Sequence, residues 1–313
     1  MKIVNLLKTA KFCGFEFFYK MRKRNLSFLI LAGLFFSNIL AWITVYELSK
    51  PPFLEVNFFE IGQGDAIFIV TPKKHQILID GGPDSTILEK LAKEMPFWDR
   101  SLDLIILSHP EADHLSGLLE VLKRYKVENI LWTGVVRNTS QYKEWLKLVE
   151  AESANVLIAK EGQRIKVGNL ILDVLHPFEN LTGKKLENSN DTSIVNRLVF
   201  GQNSFLFTGD ITKSVEKELI NHSNSFKLTT LDSDVLKVAH HGSKSSSAEE
   251  FIEKVSPKIA VIQVGKNNRY SHPHQEVLDT LERYGITILR TDRDGDIKIF
   301  SDGENLKILN PKH

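Results

Sequence analysis

Six consecutive residues, His109 to His114 in the stretch "SHPEADHLSG", hold two histidines and two carboxylates. Imidazole nitrogen and carboxylate oxygen are donor types that bind divalent cations. The chain has a single cysteine, Cys13, so it has no internal disulfide framework and no thiolate zinc site. Any metal must therefore be held by His, Asp and Glu. His109, Glu111 and Asp113 alternate with spacers, so an extended turn can aim all three one way, with His114 adjacent. Hydrolysis by two metals needs several such donors, with one carboxylate commonly shared by ions about 3.5–4 Å apart. Further donors occur downstream: Asp210 in "FLFTGD", His240 and His241 in "LKVAHHGS", and "GKNNRYSHPH" near residue 270.

The elements that must position these residues are apolar runs. "LDLIIL" precedes His109, "QILI" precedes Asp80, "SFLF" precedes Asp210, "DVLKV" precedes His240 and "IAVIQV" precedes the Asn268 region. Five strands thus end in polar clusters, and strand ends are where a rigid scaffold aims side chains into one cleft. Helical patterns alternate with them: "STILEKLAKEM", "LSGLLEVLKRY", "QYKEWLKLVEA", and segments starting at Lys213, Ala248 and Gln275. "QRIKVGNLILDVLHP" is read as a hairpin turning at Gly168-Asn169. Two sheets with helices outside would bring the five clusters to one edge.

The order of "SHPEADH", "TGD" and "KVAHHGS" resembles the metal motifs of the metallo-β-lactamase fold superfamily. The resemblance covers roughly residues 53–300. Within that superfamily "EIGQGDA", "LIDGG", "NDTSIV" and "NRYSHPH" also resemble the hydrolase domain of ComEC-like competence proteins. The fold it implies is α/β, a four-layer αββα sandwich. The resemblance implies two divalent ions, Mn²⁺ or Zn²⁺ with Mg²⁺ as a third option. It assigns His109 and Glu111 to one ion and Asp113, His114 and His241 to the other, with Asp210 between them. Asp191 in "NDTS" falls where the third metal motif usually carries a histidine. Glu111 stands where most members have histidine and the ComEC-like branch usually aspartate; a carboxylate there makes the site harder and more anionic. Asp113 would orient the attacking water, and His272 is the second candidate catalytic residue.

Other residues have supporting places. Asp65, Asp80 and His240 are expected behind the ligands, orienting them. Ser243, Asn268, Arg269, Tyr270 and His272 are expected to contact substrate, since a helix starting near Pro273 can receive an anionic group. His176 is read as an ordinary loop histidine, and His75, His222 and His313 have no supporting context.

The N-terminal fifty residues differ from the rest. Residues 25–46 carry no charge over 22 residues, roughly 33 Å of helix, enough for a bilayer core. The expected organisation is a cytoplasmic basic N-terminus (1–24), a transmembrane helix (25–46), a linker (47–52) and a hydrolase domain (53–313). The basic "KMRKR" before the helix puts the domain outside the cytoplasm. A cleaved signal peptide is the competing reading, but its apolar region should be shorter, about 7–15 residues. Residues 1–50 hold eight Lys/Arg against two Asp/Glu, net +6, so the whole-chain +1 leaves residues 51–313 at −5.

The function expected is a membrane-anchored extracytoplasmic phosphodiesterase acting on DNA, with a separately encoded channel protein as a candidate partner. A hydrolase of a wall-polymer phosphodiester or a lactam-like amide is the first alternative. A non-catalytic binding module on the same fold is the second. The negative domain lacks the broad basic surface of a strong duplex binder, which counts against tight sequence-independent duplex binding.

Overall fold

The computed structural model describes residues 26–46, 53–225 and 230–309. The expectations for residues 1–24, Cys13, His313 and the linker 47–52 lie outside the described residues. The chain divides into two units, residues 1–51 and 52–313. In the first, helix α1 (Leu26–Tyr46) has a mean hydropathy of 2.1 over its best window, long and apolar enough to cross a membrane by length and composition. A signal sequence passes the same test.

The second unit consists of two sheets packed face to face. The first has eight strands in the order β15 (Leu306–Leu309), β14 (Ile297–Ser301), β1 (Leu54–Phe58), β2 (Ile67–Val70), β3 (Gln76–Ile79), β4 (Ser101–Ile106), β5 (Lys126–Trp132) and β6 (Asn155–Ile158). The second has seven: β13 (Thr287–Arg290), β12 (Ile259–Ile262), β11 (Val235–Lys237), β10 (Asn203–Phe207), β9 (Val195–Phe200), β8 (Leu170–His176) and β7 (Arg164–Val167). β3 to β6 run parallel, as do β10 to β13. Sheets covered on both faces have near-continuous apolar strands, and β3 and β12 are buried at every position.

The core between the sheets is built from alternate strand residues such as Val56, Ile77, Leu104, Phe205, Phe207 and Val261. Residues of opposite parity face outward under the helices. Leu78, Ile105 and Ile130 meet α2 (Thr86–Glu94), α3 (Ala112–Leu122) and α4 (Ser140–Glu152). Leu206, Leu236 and Ala260 meet α5 (Lys213–Ser225), α6 (Glu249–Val255) and α7 (Gln275–Arg283). A short helix, α8 (Thr291–Asp294), joins β13 to β14. This is the expected αββα sandwich.

The elements β6, β15 and α8 leave no periodic pattern in the sequence. β6 and β15 are four-residue edge strands with half or more of their side chains exposed or partly so, too short to show a period. His176 also departs from its loop reading. It is the buried last residue of β8, and its Nδ1 donates to the Ser193 carbonyl at 2.7 Å.

One contact fixes α3 against the sheet. A Cβ on Gly117 would lie 1.8 Å from the Gly81 carbonyl oxygen. Without side chains, the two backbones approach closely enough for Gly117 N to donate to Gly82 O at 2.9 Å and Gly81 N to His114 O at 2.8 Å. The first turn of α3 is thereby set on the end of β3.

Candidate metal centre

The C-terminal ends of β3, β4, β10, β11 and β12 lie along one edge of the sandwich, and the polar clusters meet there. Asp80 follows β3 in a left-handed conformation, φ 58°. Asp113 and His114 occupy the first turn of α3. Asp210 follows β10, its N–H donating to Ser193 Oγ at 3.1 Å. His240 and His241 follow β11, both left-handed at φ 52° and 55°. That conformation costs on the order of 1 kcal/mol or more per non-glycine residue. It turns the chain sharply after β11 and leaves the His241 side chain buried in the cluster.

Asp113, His114, Asp210 and His241 each offer one donor atom within 4.8 Å of the others. His114 Nε2 lies 3.4 Å and His241 Nε2 3.3 Å from Asp210 Oδ2, and His241 Nε2 lies 3.5 Å from Asp113 Oδ2. The His109 ring is 4.2 Å from the His114 ring, centroid to centroid. A cleft of about 170 Å³ opens onto His109, Glu111, Asp113, Asp210, His241 and His272.

The hydrogen bonds behind the histidines settle which nitrogen is bare. His114 Nδ1 meets Asp80 Oδ2 at 2.8 Å, an acceptor, so Nδ1 carries the proton. His241 Nδ1 meets the Gln263 carbonyl at 2.9 Å, with the same consequence. Ser108 Oγ gives its proton to Asp80 Oδ2 at 2.6 Å, so it can only accept from His109 Nδ1 at 3.0 Å. In the neutral rings all three Nε2 atoms present lone pairs. Those atoms, and Asp210 Oδ1, are buried without a hydrogen-bond partner among the described residues. Buried polar atoms are nearly always satisfied, so this donor set fits a cation.

The charges agree. Burial alone would raise the Asp210 carboxyl, but His241, His114 and Lys237 hold it well below the usual carboxylate range. Burial opposes the ionised forms of Asp65 and Asp113 too, yet Lys237 and the histidines keep Asp65 low and the histidines alone keep Asp113 low. Burial pushes Asp80 up, against the donors from His114 and Ser108. His114 and His241 resist charging because they are buried, but the surrounding carboxylates hold both well above 6.5. His109 is pushed down to about 3 by burial. With the histidines neutral, Asp65, Asp80, Asp113 and Asp210 against Lys237 leave the cluster net negative, a field that attracts divalent cations.

Asp65 and Lys237 form the floor. Lys237 is 1% exposed; its Nζ donates to the Gly209 carbonyl at 3.0 Å, contacts Asp65 Oδ2 and lies 3.5 Å from Asp210 Oδ1. Sequence reading missed it. Its signal was a lone lysine inside the apolar run "VLKVA", where an unpaired charge would be too costly to bury.

Two other expected ligands are engaged by neighbouring side chains. The Glu111 carboxylate is engaged by Arg137 Nη2 and Ser189 Oγ and stands outside the four-donor group, although it lines the cleft. Neither partner was singled out from sequence. Asp191 accepts from Thr212 Oγ1 at 2.6 Å and Asn188 Nδ2 at 2.9 Å, and its neighbour Asn190, not Asp191 itself, lines the cleft. Ser243 turns to Ser245, Oγ to Oγ 2.9 Å, and does not line the cleft.

His240 sits at the cleft wall, its Nδ1 3.1 Å from Ser245 Oγ. His272 lines the same cleft with Nδ1 unpartnered, and burial together with the neighbouring histidines lowers it to about 4. Asn268 is committed to its own loop: it donates to the His272 and Gly265 carbonyls and accepts from the Tyr270 and His272 N–H groups. Its neighbours Arg269 and Tyr270, both exposed, line a second cleft of about 490 Å³ shared with Gln63, Pro83, Glu111 and Asp113.

Comparison with known proteins agrees with this geometry. ComE operon protein 3 of Bacillus subtilis (strain 168) is 33% identical over 296 residues, 89% of this chain and 37% of that protein. Competence protein ComA of Neisseria gonorrhoeae is 30% identical over 244 residues, 78% of this chain and 32% of that protein. The chain spans about a third of the length of the curated relatives it matches. Among solved structures, the metallo-beta-lactamase fold protein YhfI from Bacillus subtilis shares the fold at 13% identity and a TM-score of 0.52, over 79% of this chain and all of that one. The profile of the Metallo-beta-lactamase superfamily matches residues 60–266, and the chain belongs to that superfamily.

Proposed function

We propose that the chain is a membrane-anchored, extracytoplasmic, metal-dependent phosphodiesterase whose substrate is DNA. The observation that carries the hydrolase reading is the convergence of Asp113, His114, Asp210 and His241 on one point with the two histidine Nε2 atoms bare. These four would hold one divalent ion. His109, with its own bare Nε2, and Asp210 would take part in holding a second, with Glu111 lining the same cleft. Bound ions supply Lewis acidity that lowers the pKa of the attacking water and neutralises charge on the phosphate.

The chain's own groups do the rest. Asp80, the Gln263 carbonyl and Ser108 fix the three imidazoles in the tautomer that leaves Nε2 free. Asp113, the most exposed member of the group, is placed to accept a hydrogen bond from the attacking water and aim it. His272, with its unpartnered Nδ1, and Arg269 are the groups that would grip phosphate oxygens. DNA is favoured by the similarity to a competence protein and by the larger cleft beside the cluster, whose Arg269 and Tyr270 suit a phosphate and a base. The net −5 of residues 51–313 favours a second reading, another extracytoplasmic phosphodiester, because a strong duplex binder needs more cationic surface.

The test is to incubate the purified full chain in detergent with end-labelled single-stranded DNA and Mn²⁺, Zn²⁺ or chelator, with Asp210→Ala as control. Metal-dependent cleavage that disappears in the variant is expected. Hydrolysis of small phosphodiesters without DNA cleavage would favour the second reading. No hydrolysis of either, with no bound metal, would overturn both.

A further inference from the structure

At the edge opposite the metal centre, the loop from α2 to β4 carries Phe97 and Trp98, 81% and 73% exposed. The next most exposed large apolar side chain among the described residues of this unit is Tyr270, at 46%. The two rings pack edge to face, centroids 4.8 Å apart. The loop is held in place: Asp99 Oδ2 accepts from Gln76 Nε2 at 3.0 Å, and the Arg100 carbonyl accepts from Lys126 N at 2.8 Å. Two aromatic rings held on an anchored loop in water contribute nothing to the core.

Strand direction locates them. β2 is antiparallel to both β1 and β3, so β1 and β3 run the same way, and β4 is parallel to β3. The N-terminal ends of β1, β3 and β4 therefore share one edge, and the C-terminal end of α2 returns to it. Phe97 and Trp98 lie on the edge at which the chain enters the unit at Phe53. The same edge has a rim of exposed basic side chains, Lys73 and Lys74 in the β2–β3 turn, Arg100 and Lys126, while Lys123 and Arg124 are paired to Glu120 and the β14–β15 turn adds Asp302 and Glu304. That rim stands out in a segment whose net charge is −5.

We infer that the Phe97–Trp98 loop and its basic rim dock on an anionic lipid bilayer. Trp and Phe settle at the headgroup level, where an apolar ring and a wet edge are both accommodated. Lys and Arg side chains near an anionic surface add electrostatic attraction. The inference rests on reading α1 as a membrane span, and it fixes which edge of the catalytic unit touches lipid. The metal centre then lies a strand length away from the bilayer, roughly 17 Å for five residues.

The full chain in lipid nanodiscs tests it. The Trp42→Phe variant reports on Trp98 and the Trp98→Phe variant on Trp42 in α1, since Trp132 and Trp145 are buried. Nitroxide carried on the lipid headgroup should quench Trp98 at least about twofold more in discs containing phosphatidylglycerol than in phosphatidylcholine alone. Lys73→Glu with Lys74→Glu and Lys126→Glu should return the quenching to the phosphatidylcholine level. Trp98 unquenched by lipid and open to aqueous acrylamide in both discs overturns the inference, and Trp42 quenched in the same discs shows that the anchor itself stands. Unquenched Trp42 and Trp98 together remove the anchor as well. Trp98 shielded from acrylamide without lipid quenching, in discs that hold two chains, assigns the patch to a second copy and overturns the lipid reading.

Discussion

Lys237 balances charge at the base of the metal centre, and its removal separates charge from shape. Lys237→Met keeps most of the volume but leaves Asp65 and Asp210 buried without their cation, a loss of about 3–5 kcal/mol. A divalent ion restores part of that balance, so Mn²⁺ should raise the melting temperature of the variant more than that of the parent chain. Equal shifts would remove Lys237 from the charge balance. The histidines make a second residue-level prediction. Without a cation, His114 and His241 are held well above 6.5, so their contribution to stability is complete below 6.5 and declines as pH rises through the raised values. Asp65 and Asp210 are held below 3.8, so theirs is complete above 3.8 and declines as pH falls. The chelated protein should be most stable between those limits. Mn²⁺ competes with the two histidine protons, so it should stabilise more at about pH 8 than at about pH 6 and release protons on binding, measured by titration calorimetry in buffers of different ionisation enthalpy. The ligand-type residues were legible because each cluster is contiguous and ends an apolar run. Lys237, Arg137 and Ser189 were not, because their partners lie 26 or more residues away and meet them only through tertiary packing.

Helix α3 ties fold to chemistry most directly, since Asp113 and His114 ride on its first turn while Gly117 sits one turn further against Gly81. Gly117→Ala would push the helix from the β3 end; with backbone as the obstacle, the cost should be about 3 kcal/mol or more. Mn²⁺ affinity should fall with it, because both donors move together. Urea unfolding with chelator, followed by metal titration, separates the two effects. Unchanged affinity in a destabilised variant would mean that the donors are positioned by their side-chain bonds alone. At this scale the long apolar runs and amphipathic helices announced themselves through periodicity. The edge strands β6 and β15 did not, since four residues with a half-exposed face look like loop until a neighbouring strand pairs with them.

Across the second unit, the two edges of the sandwich have different chemistry. One gathers His, Asp and Lys into a buried cluster, and the other presents exposed aromatic and basic side chains. The split in formal charge between residues 1–50 and 51–313 was legible in composition, but the basic rim within the acidic segment was not. It gathers residues from several turns that only the sheet brings together. The metal centre is assembled from both halves of the chain: Asp113 and His114 come from the eight-stranded layer, Asp210 and His241 from the seven-stranded one. Neither half alone offers the four donors, so tight binding has to wait until the second sheet has formed and closed on the first. Contacts of such long sequence separation form slowly. The ion is therefore taken up only where the two layers have met, so the compartment in which they close sets which ion is on offer.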